Sequence, residues 1–294
     1  MMKKKNALRT VLLLLLAVLI VSGTAGCAGA DPGAFRTEDC LMERAGQRIY
    51  GKLYLPETAE SPLPLIILSH GLGSNHRIME PYAERFAQNG FAACVFDYIG
   101  GSEESLSDGS MKDMSVLTEA EDLRYVLDRF RGDSRFMQNG IFLFGGSQGA
   151  FISAYLAGTR PKDTAGLILL YPAFNLPEVC RRKIPASGNL PDTAVIGKHT
   201  VGRRYLKDIM TFDIYTVLGR YAGPALLFHG TADPYVPLQY SRRAVKVLTD
   251  AELITVEGAG HGFKGEDLER TARLSVAFVL RVLTLNGCEE PGAA

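Results

Sequence analysis

Short runs of wholly apolar residues constrain this chain more than any other feature. Leu65-Ile66-Ile67-Leu68, Ala92-Ala93-Cys94-Val95-Phe96, Ile141-Phe142-Leu143-Phe144, Leu167-Ile168-Leu169-Leu170, Ala225-Leu226-Leu227-Phe228 and Leu253-Ile254-Thr255-Val256 are too short for helices. They are also too continuously apolar for strands with one wet face, so each is expected to be a strand buried on both faces. Amphipathic segments long enough for helices lie between most of them, at about Ile78 to Asn89, Val116 to Arg131, Ala150 to Gly158, Leu238 to Leu248 and Leu268 to Leu285. This alternation predicts an α/β fold, a mostly parallel sheet with helices on both faces and a functional site at the carboxyl ends of the strands. A chain of 294 residues with 47% hydrophobic content is sufficient for one such domain. Ile49, Leu53 and Leu55 alternate with polar or small residues in Arg48 to Leu55, and with Phe35 to Met42 they predict an antiparallel hairpin at the sheet edge.

The amino terminus follows other rules. Lys3, Lys4, Lys5 and Arg9 precede an apolar run from Val11 to Val21 that ends in small residues, the pattern of a secretory signal. That run is short of the ~20 apolar residues a permanent membrane span requires. The segment Thr24-Ala25-Gly26-Cys27 resembles the lipobox of bacterial lipoproteins, which implies acylation of Cys27 and an exported, membrane-anchored protein. Ordinary signal-peptidase cleavage near Cys27 is the alternative. The expected organisation is a signal peptide at 1–26, a lipidated tether at 27–34, one domain at 35–288 and a tail at 289–294. With 32 basic and 32 acidic side chains, net charge supplies no reason to propose nucleic acid as a partner. Of the remaining cysteines, Cys94 reads as a buried strand thiol, leaving at most one bridge among Cys40, Cys180 and Cys288.

Within the domain, residues 175–222 contain no clean strand and carry Pro177, Pro185 and Pro191. The expectation is an inserted cap over the site, with a plain surface excursion as the alternative.

The chemistry is concentrated in three loops. Gly145-Gly146-Ser147-Gln148-Gly149 lies between the apolar run ending at Phe144 and the helix-compatible segment from Ala150. This is the G-x-S-x-G pattern in its required context, a turn so tight that it strains the serine backbone and lifts its hydroxyl into a cleft. A serine hydroxyl needs an adjacent base, and His261 in Gly260-His261-Gly262-Phe263 follows the last strand, where a base belongs. Asp233, the only carboxylate in the loop after Phe228, is placed to orient that imidazole. His229 and His70 read as structural, and His199 lies in the cap with no strand end to fix it; Asp97 and Asp213 are the competing acids, but neither occupies the expected strand end, and Asp97 reads as a brace between loops. The backbone amides of Gln148 and of Leu72, in Ser69-His70-Gly71-Leu72-Gly73, are the expected donors to an oxyanion.

The stretch from about Arg48 to Leu285 resembles the bacterial cinnamoyl or feruloyl esterase branch of the α/β-hydrolases. The likeness is carried by His70-Gly71-Leu72-Gly73, Phe96-Asp97-Tyr98-Ile99-Gly100-Gly101-Ser102, Met114-Ser115-Val116-Leu117-Thr118-Glu119-Ala120-Glu121-Asp122, Gly146-Ser147-Gln148-Gly149, His229-Gly230-Thr231-Ala232-Asp233 and Gly260-His261-Gly262-Phe263. The stretch beginning at Met114 is the most diagnostic. The resemblance implies Ser147 as nucleophile, His261 as base, Asp233 as acid, Leu72 and Gln148 as amide donors, a short cap over the acyl pocket, small-molecule ester substrates and no cofactor. The cap departs from that pattern in its basic residues, among them Arg203 and Arg204, which either favour an anionic substrate such as a quinate or uronate ester or form a solvated basic face. Peptide or amide cleavage and acyl transfer use the same machinery. A non-catalytic lipid-anchored binding protein is the reading from another class.

Overall fold

The computed structural model describes residues 33–57 and 62–287. The signal peptide, Cys27, most of the tether, Cys288 and the 289–294 tail lie outside the described residues. Among the described residues, no helix is long and apolar enough to cross a membrane. Cys40, Cys94 and Cys180 are free thiols.

The chain opens with β1 (Phe35–Arg44) and β2 (Gln47–Pro56), paired antiparallel along their whole length. They turn through Ala45 and Gly46, both at positive φ, as a two-residue hairpin with right-handed strand twist requires. There follow β3 (Leu63–Ser69), a 3₁₀ turn at His76–Ile78, α1 (Glu80–Gln88), β4 (Ala92–Phe96), α2 (Val116–Arg131), β5 (Phe136–Gly146), α3 (Gln148–Thr159) and β6 (Gly166–Leu170). The cap contributes α4 (Leu176–Arg181), β7 (Thr193–Ile196), β8 (His199–Gly202), α5 (Arg203–Ile209) and α6 (Ile214–Leu218). The chain closes with β9 (Pro224–Gly230), α7 (Gln239–Val247), β10 (Asp250–Val256) and α8 (Gly265–Leu285).

The eight-stranded sheet runs β1-β2-β4-β3-β5-β6-β9-β10, parallel from β4 to β10 and antiparallel across β1-β2 and β2-β4. Each central strand sends alternate residues into two cores. Leu65 and Ile67 face α2 and α3, while Ile66 and Leu68 face α1 and α8. That two-sided burial is why these strands read as unbroken apolar runs.

Two expectations require correction. The run at Leu253 to Val256 forms the edge strand β10, in which only Val256 is fully buried, because no strand among the described residues pairs with its outer side. The cap, expected to hold no clean strand, contains the antiparallel hairpin β7-β8 around Gly197 at φ +60°. Its apolar residues Ala194, Ile196 and Val201 are packed while Thr193, Val195 and Thr200 are exposed. This period-two pattern, four residues to a strand just after Pro191, is short enough to be missed.

Successive connections leave the sheet in opposite directions from β3, which lies between β4 and β5. Ser69 and Gly145 stand opposite each other in register, so the loops after β3 and β5 diverge at one level. An open parallel sheet has its crevice at such a point.

Candidate active site

Ser147 connects β5 directly to α3 with φ 55° and ψ −117°, a conformation that costs a non-glycine residue on the order of 1–3 kcal/mol. The surrounding structure enforces it. The Ser147 amide donates to the Leu170 carbonyl at 3.0 Å, and the Ser147 carbonyl accepts from Phe151 and Ala173 at 3.2 and 3.1 Å. A Cβ at Gly149 would overlap the Ser69 carbonyl oxygen, so only glycine lets α3 start this close to β3.

The structure brings the residues from the three loops together. Ser147 Oγ lies 2.9 Å from His261 Nε2, and His261 Nδ1 lies 2.7 Å from Asp233 Oδ2. With the carboxylate accepting from Nδ1–H, the Nε2 lone pair faces the serine hydroxyl. Asp233 Oδ1 accepts from the amides of Tyr235 and Val236 at 2.8 and 2.9 Å. Burial by itself raises the Asp233 pKa, but hydrogen bonds from His229, His261 and the Val236 amide hold the carboxyl well below the ordinary range. His229 Nε2 is 2.8 Å from the Val236 carbonyl and 3.5 Å from Asp233 Oδ2, and its Nδ1 meets Ser241 Oγ at 2.7 Å. His229 therefore anchors the acid loop. That loop is joined to the histidine loop by Ala232 N donating to Ala259 O at 3.0 Å and Gly258 N donating to Thr231 Oγ1 at 2.9 Å.

Leu72 and Gln148 both line the cavity that holds Ser147 and His261. Neither of their backbone amides has an acceptor among the described residues. A Cβ at Gly71 would press on Ser147 Cβ at 3.1 Å, which shows how closely the β3 loop approaches the serine. His70, fully buried, spans this loop with Nδ1 2.9 Å from the Gly71 carbonyl and Nε2 accepting from Tyr98 N at 3.3 Å. Asp97 accepts from the His76 amide and ring and from the Leu106 amide, so it braces loops.

The cavity measures about 660 Å³ and has walls of Leu72, Ala173, Leu176, Val179, Ile196 and Val236. Lys198 and His199 at the β7-β8 turn close one side, and the His199 ring lies against Gly73. Tyr235, 71% exposed, stands edge-on to His261 at 5.6 Å between ring centres, and buried Tyr171 meets the same imidazole at 4.7 Å.

Arg203 and Arg204 do not join this site. Arg203 pairs with Asp192 at 2.6 Å, and Arg204 sits 3.4 Å from Asp208 and lines a separate cavity with Arg44 and Gln47. They open α5, on the far side of the hairpin whose turn carries Lys198, so the cap's cavity-facing cation is Lys198. Sequence reasoning also missed Tyr171, which directly follows β6 at φ 37°. Its position after a strand's carboxyl end was the available signal.

Comparison with known proteins agrees with this architecture. A family model described as Serine aminopeptidase, S33 matches residues 60–190, and one described as TAP-like protein matches residues 213–277. The quorum-quenching protein AidA of Acinetobacter baumannii (strain MDR-ZJ06) is 33% identical over 101 residues, 33% of this chain and 31% of that protein, so the chain matches about a third of that relative's length. Among solved structures, Est1E from Butyrivibrio proteoclasticus with ferulic acid bound superposes with TM-score 0.76 at 22% identity, covering 83% of this chain and 99% of that one. A monoacylglycerol lipase of Paleococcus ferrophilus superposes with TM-score 0.63 at 21% identity, covering 80% and 99%. Likeness at these identities establishes a common fold.

Proposed function

We propose that this chain, which has the α/β-hydrolase fold, is a serine hydrolase that cleaves carboxylic esters through an acyl-enzyme intermediate. The observation that carries the reading is the continuous relay of Ser147 Oγ, His261 and Asp233, with links of 2.9 and 2.7 Å, set on a serine held at positive φ. Ser147 Oγ attacks the acyl carbon while its proton passes to His261 Nε2, and Asp233 stabilises the imidazolium. The oxyanion faces the free amides of Leu72 and Gln148. Collapse expels the alcohol, which takes the proton from Nε2, and water then repeats the sequence to release the acid. This chemistry uses no cofactor.

The cavity supports small or hydroxycinnamoyl-type esters, because apolar side chains line it on most sides and Tyr235 offers an aromatic ring beside His261. Among the described lining residues Lys198 is the only lysine or arginine, and no carboxylate is present. An aminopeptidase needs a carboxylate to meet the substrate's α-ammonium, which Lys198 would repel. This favours ester over aminopeptide cleavage, and it moves the preference for an anionic group from Arg203 and Arg204 to Lys198. The proposal extends to export and a lipid anchor at Cys27, which radiolabelled fatty acid incorporation into the protein and into a Cys27→Ala variant tests.

The function is tested with acetate, butyrate, methyl ferulate and chlorogenate esters, using Ser147→Ala as control. Hydrolysis of at least one ester above the control is expected. Rates equal to the control on the whole panel remove the proposal.

A further inference from the structure

Glu119 lies in the first turn of α2, is 1% exposed, and has no cation within ion-pair distance among the described residues. Its Oε2 accepts from Gln148 Nε2 at 2.6 Å. At the other end of the same amide, Gln148 Oε1 accepts from the hydroxyl of Tyr205, which comes from α5 of the cap. All three side chains are buried. With both ends of its carboxamide held, Gln148 is locked between the helix that follows β4 and the cap, directly beside Ser147.

We propose that Glu119 is a positioning residue: through Gln148 it fixes the amide that faces the oxyanion, and through Gln148 and Tyr205 it ties the nucleophile turn to the cap. The inference rests on the serine-hydrolase reading above. The stretch from Met114 to Asp122 caps α2 through Ser115 and brings Glu119 against Gln148. Ser115 Oγ in turn donates to Asp208 Oδ2 of α5 at 2.6 Å, a second tie between this helix and the cap.

A carboxylate removed from water with no cation beside it is held as the neutral acid. Burial pushes the Glu119 pKa up to about 8, against the lowering effect of the Gln148 hydrogen bond and with a further push from Asp122. The charged and titratable groups around it are Asp122 on its own helix, the Tyr98 phenol in the loop after β4 and the Tyr205 phenol of the cap. Asp122 is occupied by Arg44 at 2.6 Å and the Ile99 amide at 2.9 Å. A neutral Glu119 leaves the developing oxyanion unopposed. Its ionisation adds a negative charge to the far end of the residue that supports the oxyanion, so kcat falls as pH rises through about 8.

The test compares wild type, Glu119→Ala, Glu119→Gln and Ser147→Ala between pH 6 and 10. It measures ethyl butyrate hydrolysis by titration of released acid and the rate of Ser147 phosphonylation by an alkyl fluorophosphonate, in which the Oγ–P bond forms, fluoride leaves and His261 takes the proton. Glu119→Ala is expected to lower kcat on the order of tenfold with little change in KM, a fraction of the effect of deleting an oxyanion donor outright. Glu119→Gln restores most of that loss and lacks the falling limb near pH 8. The inference is overturned if Glu119→Gln keeps the wild-type limb or if Glu119→Ala keeps the wild-type kcat. Unfolding midpoints give a readout that needs no turnover. The native acid binds its proton more tightly than the unfolded one, so wild-type stability declines relative to Glu119→Gln from about pH 5 to 8 and then levels; a constant gap also overturns the inference. If neither the ester nor the phosphonate distinguishes wild type from Ser147→Ala, the serine-hydrolase reading falls, and the oxyanion role of Glu119 falls with it.

Discussion

Two histidine–aspartate pairs stand at the ends of strands in this molecule, and their local geometry is nearly the same. His261 Nδ1 lies 2.7 Å from Asp233 after β9 and β10, and His76 Nδ1 lies 2.9 Å from Asp97 after β4. Both carboxylates are fully buried. Both have their pKa held down by histidine and backbone hydrogen bonds despite the raising effect of burial. They differ in what the distal nitrogen meets. His261 retains 18% side-chain exposure, opens onto a cavity and presents Nε2 to Ser147, whereas His76 is 5% exposed, lies tilted against Tyr50 at 4.8 Å between ring centres, and shares its carboxylate with the Leu106 amide. An oriented imidazole is a brace in one setting and, on the function proposed above, a base in the other; the facing serine hydroxyl and the cavity make the difference.

This contrast is sharpest where the two pairs are perturbed separately. Ser147→Ala should cause the largest effect, a fall in kcat on the order of 10⁵- to 10⁶-fold, read by ester hydrolysis with binding unchanged. Asp233→Asn follows, because the amide disfavours the required tautomer, with a loss of about 10⁴-fold in kcat and a modest change in unfolding midpoint. Asp97→Asn should reverse that balance. Leaving the His76 and Leu106 donors poorly satisfied costs about 2–3 kcal/mol of stability by denaturant titration, while kcat per folded molecule stays within about twofold. A catalytic loss at Asp97→Asn as large as at Asp233→Asn would abolish the distinction. The smallest expected effect is at the cavity rim. Lys198→Glu should raise KM for anionic chlorogenate about threefold to fivefold over that for neutral methyl ferulate, the range of a solvent-exposed charge pair. Charge reversal at Arg203 and Arg204, which lie away from the cavity, should leave that ratio unaltered.

The amino-acid order already contained the strands, their order of chemistry and the loops that bear it. An unbroken apolar run is a local signal for a strand, covered on both faces at β5 and β9 and at the sheet edge at β10, and Ser147, Asp233 and His261 each follow such a run. The edge position of β10 was illegible because edge or centre is settled by a neighbour that lies elsewhere in the chain, and the β7-β8 hairpin because four-residue strands carry too short a period-two signal. The same limit applies to charge. Composition marked the cap as basic, but pairing with Asp192 and Asp208 and the direction of α5 took Arg203 and Arg204 away from the cavity, leaving Lys198 on its wall.

What the sequence determined by itself is therefore whatever depends on spacing along one segment: the apolar runs of the central strands, the amphipathic period of the long helices and the tight turn at Ser147. What only the tertiary structure decided is which distant side chains share a few ångströms. Glu119, Gln148 and Tyr205 are separated by tens of residues and meet because three elements converge. Hydrogen bonding and desolvation act over those short distances, and folding alone brings such groups within range.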